Sequence, residues 1–541
     1  MEGRPVTPDL PASVSLSLVS HTNAGKTTLA RTLLGRDVGE VRDEAHVTEQ
    51  ADSQVLVDSP AGDCLLLWDT PGFGDSQRLV RRLQAAGNPL GWLMTQVWDR
   101  WRDRPFWASQ QAIRHVLAQT DVVLYLVNAA EAPEDAAYVA AELQVLALLH
   151  KPVIVLLNQL GPPGPAADDL QQVQQVQHWH AHLAAQGGIH SVLSLDAFAR
   201  CWVQEAMLLQ AVAAALPVAR RAAMARLQEA WALQQRQTWQ AAMDLLSARL
   251  LRAALDREPL PATQWAAPLR GLGQALGRQL GLATQAAPDP QAQAMAALAG
   301  RMAQDIRRST DTLIQLHRLQ GRSGGELSAR MASYFARPGP VSEGRAALWG
   351  GMVTGALAGL KADLVSGGLT MGGGLLAGGL LGALGAAGAV RGFNKIRGLD
   401  QPLLAWDAPV LQSLLQSTLL TYLAVAHHGR GRGEWRADEP PAAWIEAVAA
   451  VLAGQQAHWR ALWLQRGALV TVAPALPSAA APVQGMAAHA SLAAVAPLDF
   501  QVRLRGLLAQ ACIDLLARLY PQPAALLGLS TWSADDRQAW S

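Results

Sequence analysis

The sequence predicts an α/β domain with a mostly parallel sheet, followed by an all-α region that carries a glycine-rich helical hairpin. Three observations predict it. Short apolar runs alternate with longer amphipathic stretches from about residue 10 to 200, apolar residues at three and four spacing take over beyond that, and glycine with small apolar residues dominates between Ala346 and Val390. The expected segments are therefore 1–200 for the α/β domain, 201–340 for a helical domain, 341–398 for the hairpin as a membrane segment, and 399–541 for a C-terminal helical region.

The runs Val14–Val19, Gln54–Val57, Cys64–Trp68, Val122–Val127, Val153–Leu157 and Ser191–Leu195 read as strands. Several are apolar on successive residues, as strands are when helices cover both faces of a parallel sheet. After residue 200, patterns such as Ala222-Met224-Leu227-Trp231 and Met243-Leu246-Leu250 give amphipathic helices, punctuated near Pro259–Pro261 and Pro288–Pro290. Helical patterns resume around Pro402–His427, Ala442–Gln465 and Leu498–Tyr520, with an Ala/Pro/Val-rich loop at about 468–497.

Composition narrows the function. A chain of 541 residues holds several domains, each long enough to bury a core. With 44 Lys+Arg against 43 Asp+Glu, no cation excess is available to displace phosphate counterions, so nucleic acid is not indicated as a partner. Hydrophobic residues at 50% and charged residues at 16% exclude a disordered chain, and a mean hydropathy of +0.11 favours a membrane-contacting segment. Cys64, Cys201 and Cys512 lie too far apart for a disulfide scaffold or a cysteine zinc site. The first residues lack a charged-then-apolar leader, so the start of the chain is expected in the cytosol.

The strand Val14–Val19 runs into Ser20-His21-Thr22-Asn23-Ala24-Gly25-Lys26-Thr27-Thr28, which matches G-x-x-x-x-G-K-[ST] except that Ser20 replaces the first glycine. In such a loop the backbone of Asn23, Ala24, Gly25, Lys26, Thr27 and Thr28 wraps phosphates, Lys26 meets the β and γ oxygens, and the Thr27 hydroxyl binds Mg²⁺. A second element supports it. Cys64–Trp68 ends in Asp69-Thr70-Pro71-Gly72-Phe73, where Asp69 would hold Mg²⁺ through water and the Gly72 amide would sense the γ-phosphate. Between the two, Thr48 is the one hydroxyl in Arg42–Gln50, and is either the switch residue that closes on Mg²⁺ or a solvated loop threonine.

At these residues the chain resembles the small GTPases of the translation-factor class, in the branch that contains Era and the tRNA-modifying GTPase MnmE. HTNAGKTTLARTLL with DTPGFGDS, SLDAFARCWVQEA and the glycine-rich segment is more closely similar to a bacterial GTPase family with a C-terminal domain of unknown function. The resemblance implies a GTP/GDP switch that hydrolyses GTP. Two departures stand out. Where the guanine-reading Asn-Lys-x-Asp would follow Val153–Leu157, the chain has Asn158-Gln159-Leu160-Gly161, which keeps the asparagine and loses the carboxylate. Asp168 or Asp169 would substitute, or lie in solvent; Ser194–Ala197 occupies the place of the last base-contacting loop. Phe73 stands where a water-orienting glutamine would sit, and a phenyl ring cannot hold water by hydrogen bonding. In some members of the resembling branch an asparagine at the position of Asn23 binds K⁺ beside the phosphates, which implies K⁺ stimulation on dimerisation; otherwise Asn23 is a loop-stabilising side chain.

Trp92, Leu93, Met94, Val97, Trp98 and Trp101, with Phe106 and Trp107 after them, read either as a helix packed on the domain or as a nucleotide-responsive contact surface. His178 and His182 at i, i+4 lack a third metal ligand and read as surface histidines, as do His427 and His428. Glycine recurs every fourth residue at 351, 355 and 359 and again at 374, 378 and 382. Leu364–Val390 is uncharged and long enough to span a bilayer, with Arg345 on one flank and Arg391, Lys395 and Arg397 on the other. Lys361 and Asp363 separate the two arms, and the segment is either a membrane hairpin or a glycine-rich hairpin buried in a soluble helical domain. The expectation is a cytoplasmic GTPase held at the inner membrane, peripherally or by the hairpin. The alternative is a soluble NTPase or non-hydrolysing scaffold that works through a protein partner or as a homo-oligomer.

Overall fold

The computed structural model of the chain describes residues 11–22, 24–35, 52–74, 76–85, 91, 104–161, 170–259, 290–319, 393–396, 403–429, 440–472 and 498–529. It divides into two compact units, the first formed by Met1–Thr238, Ala426–Gly433 and Leu516–Leu529, the second by Trp239–Val425, Glu434–Leu515 and Ser530–Ser541.

The first unit is built on six strands: β1 (Ser13–Ser20), β2 (Asp52–Asp58), β3 (Cys64–Asp69), β4 (Val122–Asn128), β5 (Val153–Asn158) and β6 (Ile189–Ser194). Their order is β2-β3-β1-β4-β5-β6, parallel throughout except for the β2–β3 hairpin. β4 and β5 are buried along nearly their whole length, which explains their unbroken apolar runs. β1 alternates serine with apolar residues yet is also buried. Its polar groups are satisfied: Ser17 and Thr120 share a hydrogen bond of 2.6 Å, and Trp68 Nε1 donates to Ser15 Oγ at 2.8 Å.

Among the described residues, five helices flank the sheet: α1 (Lys26–Leu34), α2 (Ser76–Gln84), α3 (Arg104–Gln119), α4 (Ala137–Ala147) and α5 (Leu170–Ala184). Phe73, Ile113, Tyr125, Val139 and Trp179 share one buried cluster with the strands. The unit continues past residue 200 through α6 (Trp202–Ala215) and the first part of α7 (Val218–Leu255). Arg226 of α7 grips Asp63 in the β2–β3 turn, with Nε and Nη2 donating at 2.7 and 2.9 Å. His427 and His428 are buried, against the expectation of surface residues: His427 lies 5.6 Å from Tyr520, ring stacked on ring. A short helix, Pro521–Leu526, follows that tyrosine.

The second unit is largely helical. It holds the later part of α7, α8 (Pro290–Leu316), most of α9 (Ala408–Ala426), α10 (Ala442–Gly454), α11 (Gln456–Val472) and most of α12 (Leu498–Leu519). It also contains a small antiparallel sheet, β7 (Arg257–Pro259), β8 (Phe393–Ile396) and β9 (Leu403–Trp406), in the order β7-β9-β8. Three- and four-residue strands such as Arg257-Glu258-Pro259 carry no alternation to read, so helical periodicity hid them. Ion pairs are built into this unit: Arg301 meets Asp256 at 2.9 Å and Glu258 at 2.8 Å, and Arg252 meets Asp305 at 2.8 Å. α9 is long and apolar enough to cross a membrane, but buried Arg249 donates to its Thr418 at 2.6 Å and most of its residues are buried. The glycine-rich segment Ala346–Val390 and the tryptophan-bearing stretch Trp92–Trp101 lie outside the described residues.

Candidate phosphate and metal site

The sequence motif folds as its residue types require. β1 ends at Ser20, the chain turns, and Gly25 takes φ 93°, a left-handed conformation that suits glycine, before α1 opens at Lys26. The Leu29 amide donates to Gly25 O at 2.9 Å and starts the helix. Lys26 is only 8% exposed, and its Nζ donates to Ser20 Oγ at 3.0 Å. Burial pushes the lysine pKa below its usual value, while the charges of Asp69 and Glu142 oppose that shift. The serine that replaces the first motif glycine thus gives the lysine an acceptor.

Asp69, at the end of β3, accepts from Thr27 Oγ1 at 2.5 Å. A hydroxyl and a carboxylate meeting at the start of a helix form an oxygen-only pair that suits a hard divalent cation such as Mg²⁺. Gly72 lies against the loop: a Cβ there would stand 2.9 Å from Lys26 Nζ and 3.2 Å from Thr22 Cα, so a larger residue would press on the lysine. Ala24 and Thr28 are buried on either side of Gly25 and Lys26. Asn23 and Thr48 lie outside the described residues, as do Asp168 and Asp169.

Phe73 is 1% exposed and joined to the loop by backbone. Its amide donates to Ser20 O at 2.9 Å, and its carbonyl accepts from the Thr22 amide at 3.2 Å and Thr22 Oγ1 at 2.7 Å. His21 and Phe73 form a parallel bridge, an extra rung beyond the end of β1. Behind it lies Glu142 of α4, fully buried, which accepts from His21 Nδ1 at 2.7 Å, Ser76 Oγ at 2.6 Å and Tyr125 OH at 2.8 Å. The Tyr125 hydroxyl is pushed well above its ordinary pKa by burial and by the adjoining carboxylate, and it serves as a donor. Sequence reasoning did not single out Glu142; its being the one charged residue in Ala137–Ala147 is the signal that could have pointed there.

Asn158 connects the far side. Its Nδ2 donates to Ala24 O at 3.0 Å and its Oδ1 accepts from the Ala197 amide at 2.8 Å, so one side chain ties the phosphate loop to the turn after β6. Gly161 takes φ 83°, and its amide donates to Asp196 Oδ2 at 2.7 Å. The exposed histidine His178 pairs with Glu134 at 2.7 Å.

Residues 15–159 match the family described as 50S ribosome-binding GTPase. The α/β region matched by that family is a P-loop GTPase domain, similar to the Era-like type. GTPase Era of Aquifex aeolicus (strain VF5) is 26% identical over 170 residues, 31% of this chain and 48% of that protein. The chain thus spans about half the length of the curated relative it matches. Among solved structures, Era bound to MgGDPNP and a segment of 16S ribosomal RNA is 19% identical, covering 38% of this chain and 58% of that one at a TM-score of 0.27. A GTP-binding protein from the archaeon Sulfolobus solfataricus in complex with GDP is 16% identical, covering 34% and 46% at a TM-score of 0.21. Within the GTPase domain, Lys26, Thr27, Asp69 and Gly72 converge on one another, and Asn158 reaches the same loop from β5.

Proposed function

We propose that the protein is a nucleotide-dependent switch that binds GTP with Mg²⁺, hydrolyses it, and is coupled to a helical, membrane-associated C-terminal region. The convergence of Lys26, Thr27, Asp69 and Gly72 carries this reading. Lys26 exchanges Ser20 Oγ for the β and γ oxygens, while the amides from Ala24 to Thr28 face the phosphates at the start of α1. Thr27 and Asp69 would hold Mg²⁺, which would supply charge neutralisation at the phosphates, with Thr48 the candidate for a further ligand. Gly72 brings its amide to the γ-phosphate. Phe73 has no side-chain donor or acceptor, so orientation of the attacking water falls to another group. Separately, the Era-like resemblance implies that K⁺ held by Asn23 beside the phosphates would stimulate turnover.

The membrane part of the proposal rests on the uncharged run Leu364–Val390, its fourfold glycine spacing and its basic flanks. A second reading, a nucleotide-binding scaffold without turnover that acts through a protein partner or a second copy, draws on the buried and backbone-bonded Phe73. Turnover of GTP and ATP by the full chain, each in K⁺ and in Na⁺, separates them. Mg²⁺-dependent GTP turnover that is faster in K⁺ supports the switch. Tight GTP binding with no turnover in either salt supports the scaffold, and no binding of either nucleotide overturns both.

A further inference from the structure

The turn after β6 is held from several sides. The Leu195 amide donates to Leu157 O at 3.0 Å, the Ala197 amide to Asn158 Oδ1 at 2.8 Å, and Thr32 Oγ1 to Ala197 O at 2.9 Å. Gly429 backs it: its amide donates to Phe198 O at 3.3 Å, and a Cβ there would stand 2.0 Å from Ala197 O, so only glycine fits. This turn, with few degrees of freedom left, carries Asp196. The residue is 5% exposed, with Oδ2 accepting from the Gly161 amide at 2.7 Å and Oδ1 from the Phe198 amide at 2.7 Å. An ionised carboxylate has about four acceptor positions, and these two bonds leave about two.

The sheet order fixes which part of a nucleotide would reach this carboxylate. The phosphate loop follows β1, and Asp69 and Gly72, the residues for Mg²⁺ and the γ-phosphate, follow β3 on one side of it. The α-phosphate, sugar and base must therefore extend the other way, over the carboxyl ends of β4, β5 and β6. There Asn158 touches the phosphate loop, and Gly161 leaves space: a Cβ on it would meet nothing within 4 Å among the described residues. A missing side chain thus adjoins a fixed carboxylate contributed by the neighbouring turn.

We propose that Asp196, seated on the Gly161 amide, is the residue that selects the base, accepting from the N1–H and N2–H groups of guanine across the space at Gly161. The proposal rests on the GTP-binding reading above. Its chemistry is specific. Guanine offers two adjacent donors and matches a carboxylate, adenine offers an acceptor at N1 and is refused, and xanthine offers a donor at N1 and an acceptor at O2. An asparagine in place of the carboxylate keeps one acceptor and gains one donor, which is the complement of xanthine.

The test is equilibrium dialysis of the full chain with radiolabelled GTP, ATP and XTP, wild type against Asp196→Asn, with thermal unfolding of both. The wild type should prefer GTP. Asp196→Asn should lose GTP affinity on the order of 10- to 100-fold, the range of a hydrogen bond to a charged group, and gain XTP affinity. Loosening of the turn lowers all three affinities together and cannot produce a gain for XTP. An unchanged XTP-to-GTP ratio in the variant overturns the proposal, whether or not the absolute affinities or the unfolding temperature fall. Equal affinity of the wild type for GTP and ATP also overturns it while leaving the phosphate site intact. A wild type that binds no triphosphate overturns the GTP-binding reading itself.

Discussion

Lys26 is buried, stripped of water and bonded to a hydroxyl, with two carboxylates near enough to oppose the effect of burial on its pKa. An ammonium prepared in this way gains when phosphate oxygens replace the serine. Lys26→Ala should abolish detectable triphosphate binding in dialysis while the far-ultraviolet circular dichroism stays as in the wild type; retained affinity in a folded variant would falsify the phosphate-site assignment. Gly25, Lys26, Thr27 and Asp69 were legible in the sequence because phosphate and metal chemistry demand those residue types at fixed spacing after a strand. Glu142 was not singled out, and Asp196 was legible only as part of Ser194–Ala197, at the place of the last base-contacting loop, without a role of its own. Each acts through a contact made across more than 30 positions of chain, with His21 and Gly161 respectively, and no spacing rule encodes such a meeting.

The β2–β3 hairpin and α7 meet through one charged contact. The Asp63 side chain is fully buried, bonded to Arg226, Ser59 and the Ala12 amide, and its pKa falls far below the ordinary carboxylate range, chiefly through the Arg226 hydrogen bonds. A depressed folded-state pKa stabilises above the unfolded value of about 4, and that contribution is lost as pH falls below it. Arg226→Ala leaves a buried carboxylate without its cation and should cost roughly 3 kcal/mol at neutral pH, measured by urea unfolding. The deficit should shrink between about pH 4 and pH 2 as the Asp63 contribution fades in the wild type. A deficit that stays constant across that range would show that Arg226 acts by packing alone. At this scale the sheet was legible strand by strand, since buried parallel strands announce themselves by continuous apolar runs. β7, β8 and β9 were hidden by their length, and the burial of His427 by a partner, Tyr520, far along the chain.

For the molecule as a whole, the GTPase match lies within the first unit, at residues 15–159, and the membrane proposal concerns the chain beyond that unit. Deleting Ala346–Val390 should move the protein from the membrane fraction to the soluble fraction of a detergent-free lysate, with triphosphate binding retained by the remainder. Wild-type protein found wholly in the supernatant would remove the membrane proposal and leave the nucleotide site as it stands. Helix α9 passes a simple length-and-apolarity criterion as well, but a helix whose Thr418 receives a hydrogen bond from a buried arginine belongs in a protein core.

The bridge between His21 and Phe73 makes the amides of Thr22 and Phe73 natural reporters of switching. Both are bonded across the bridge, and while it stays closed they should trade their hydrogens with deuterated solvent slowly. A γ-phosphate that draws the Gly72 amide toward itself has to lift the neighbouring Phe73 from Ser20. Deuterium uptake followed by mass spectrometry should then be faster at Phe73 with a non-hydrolysable GTP analogue than with GDP. Equal uptake in the two states would mean that the rung stays closed and that the signal leaves the pocket by another route.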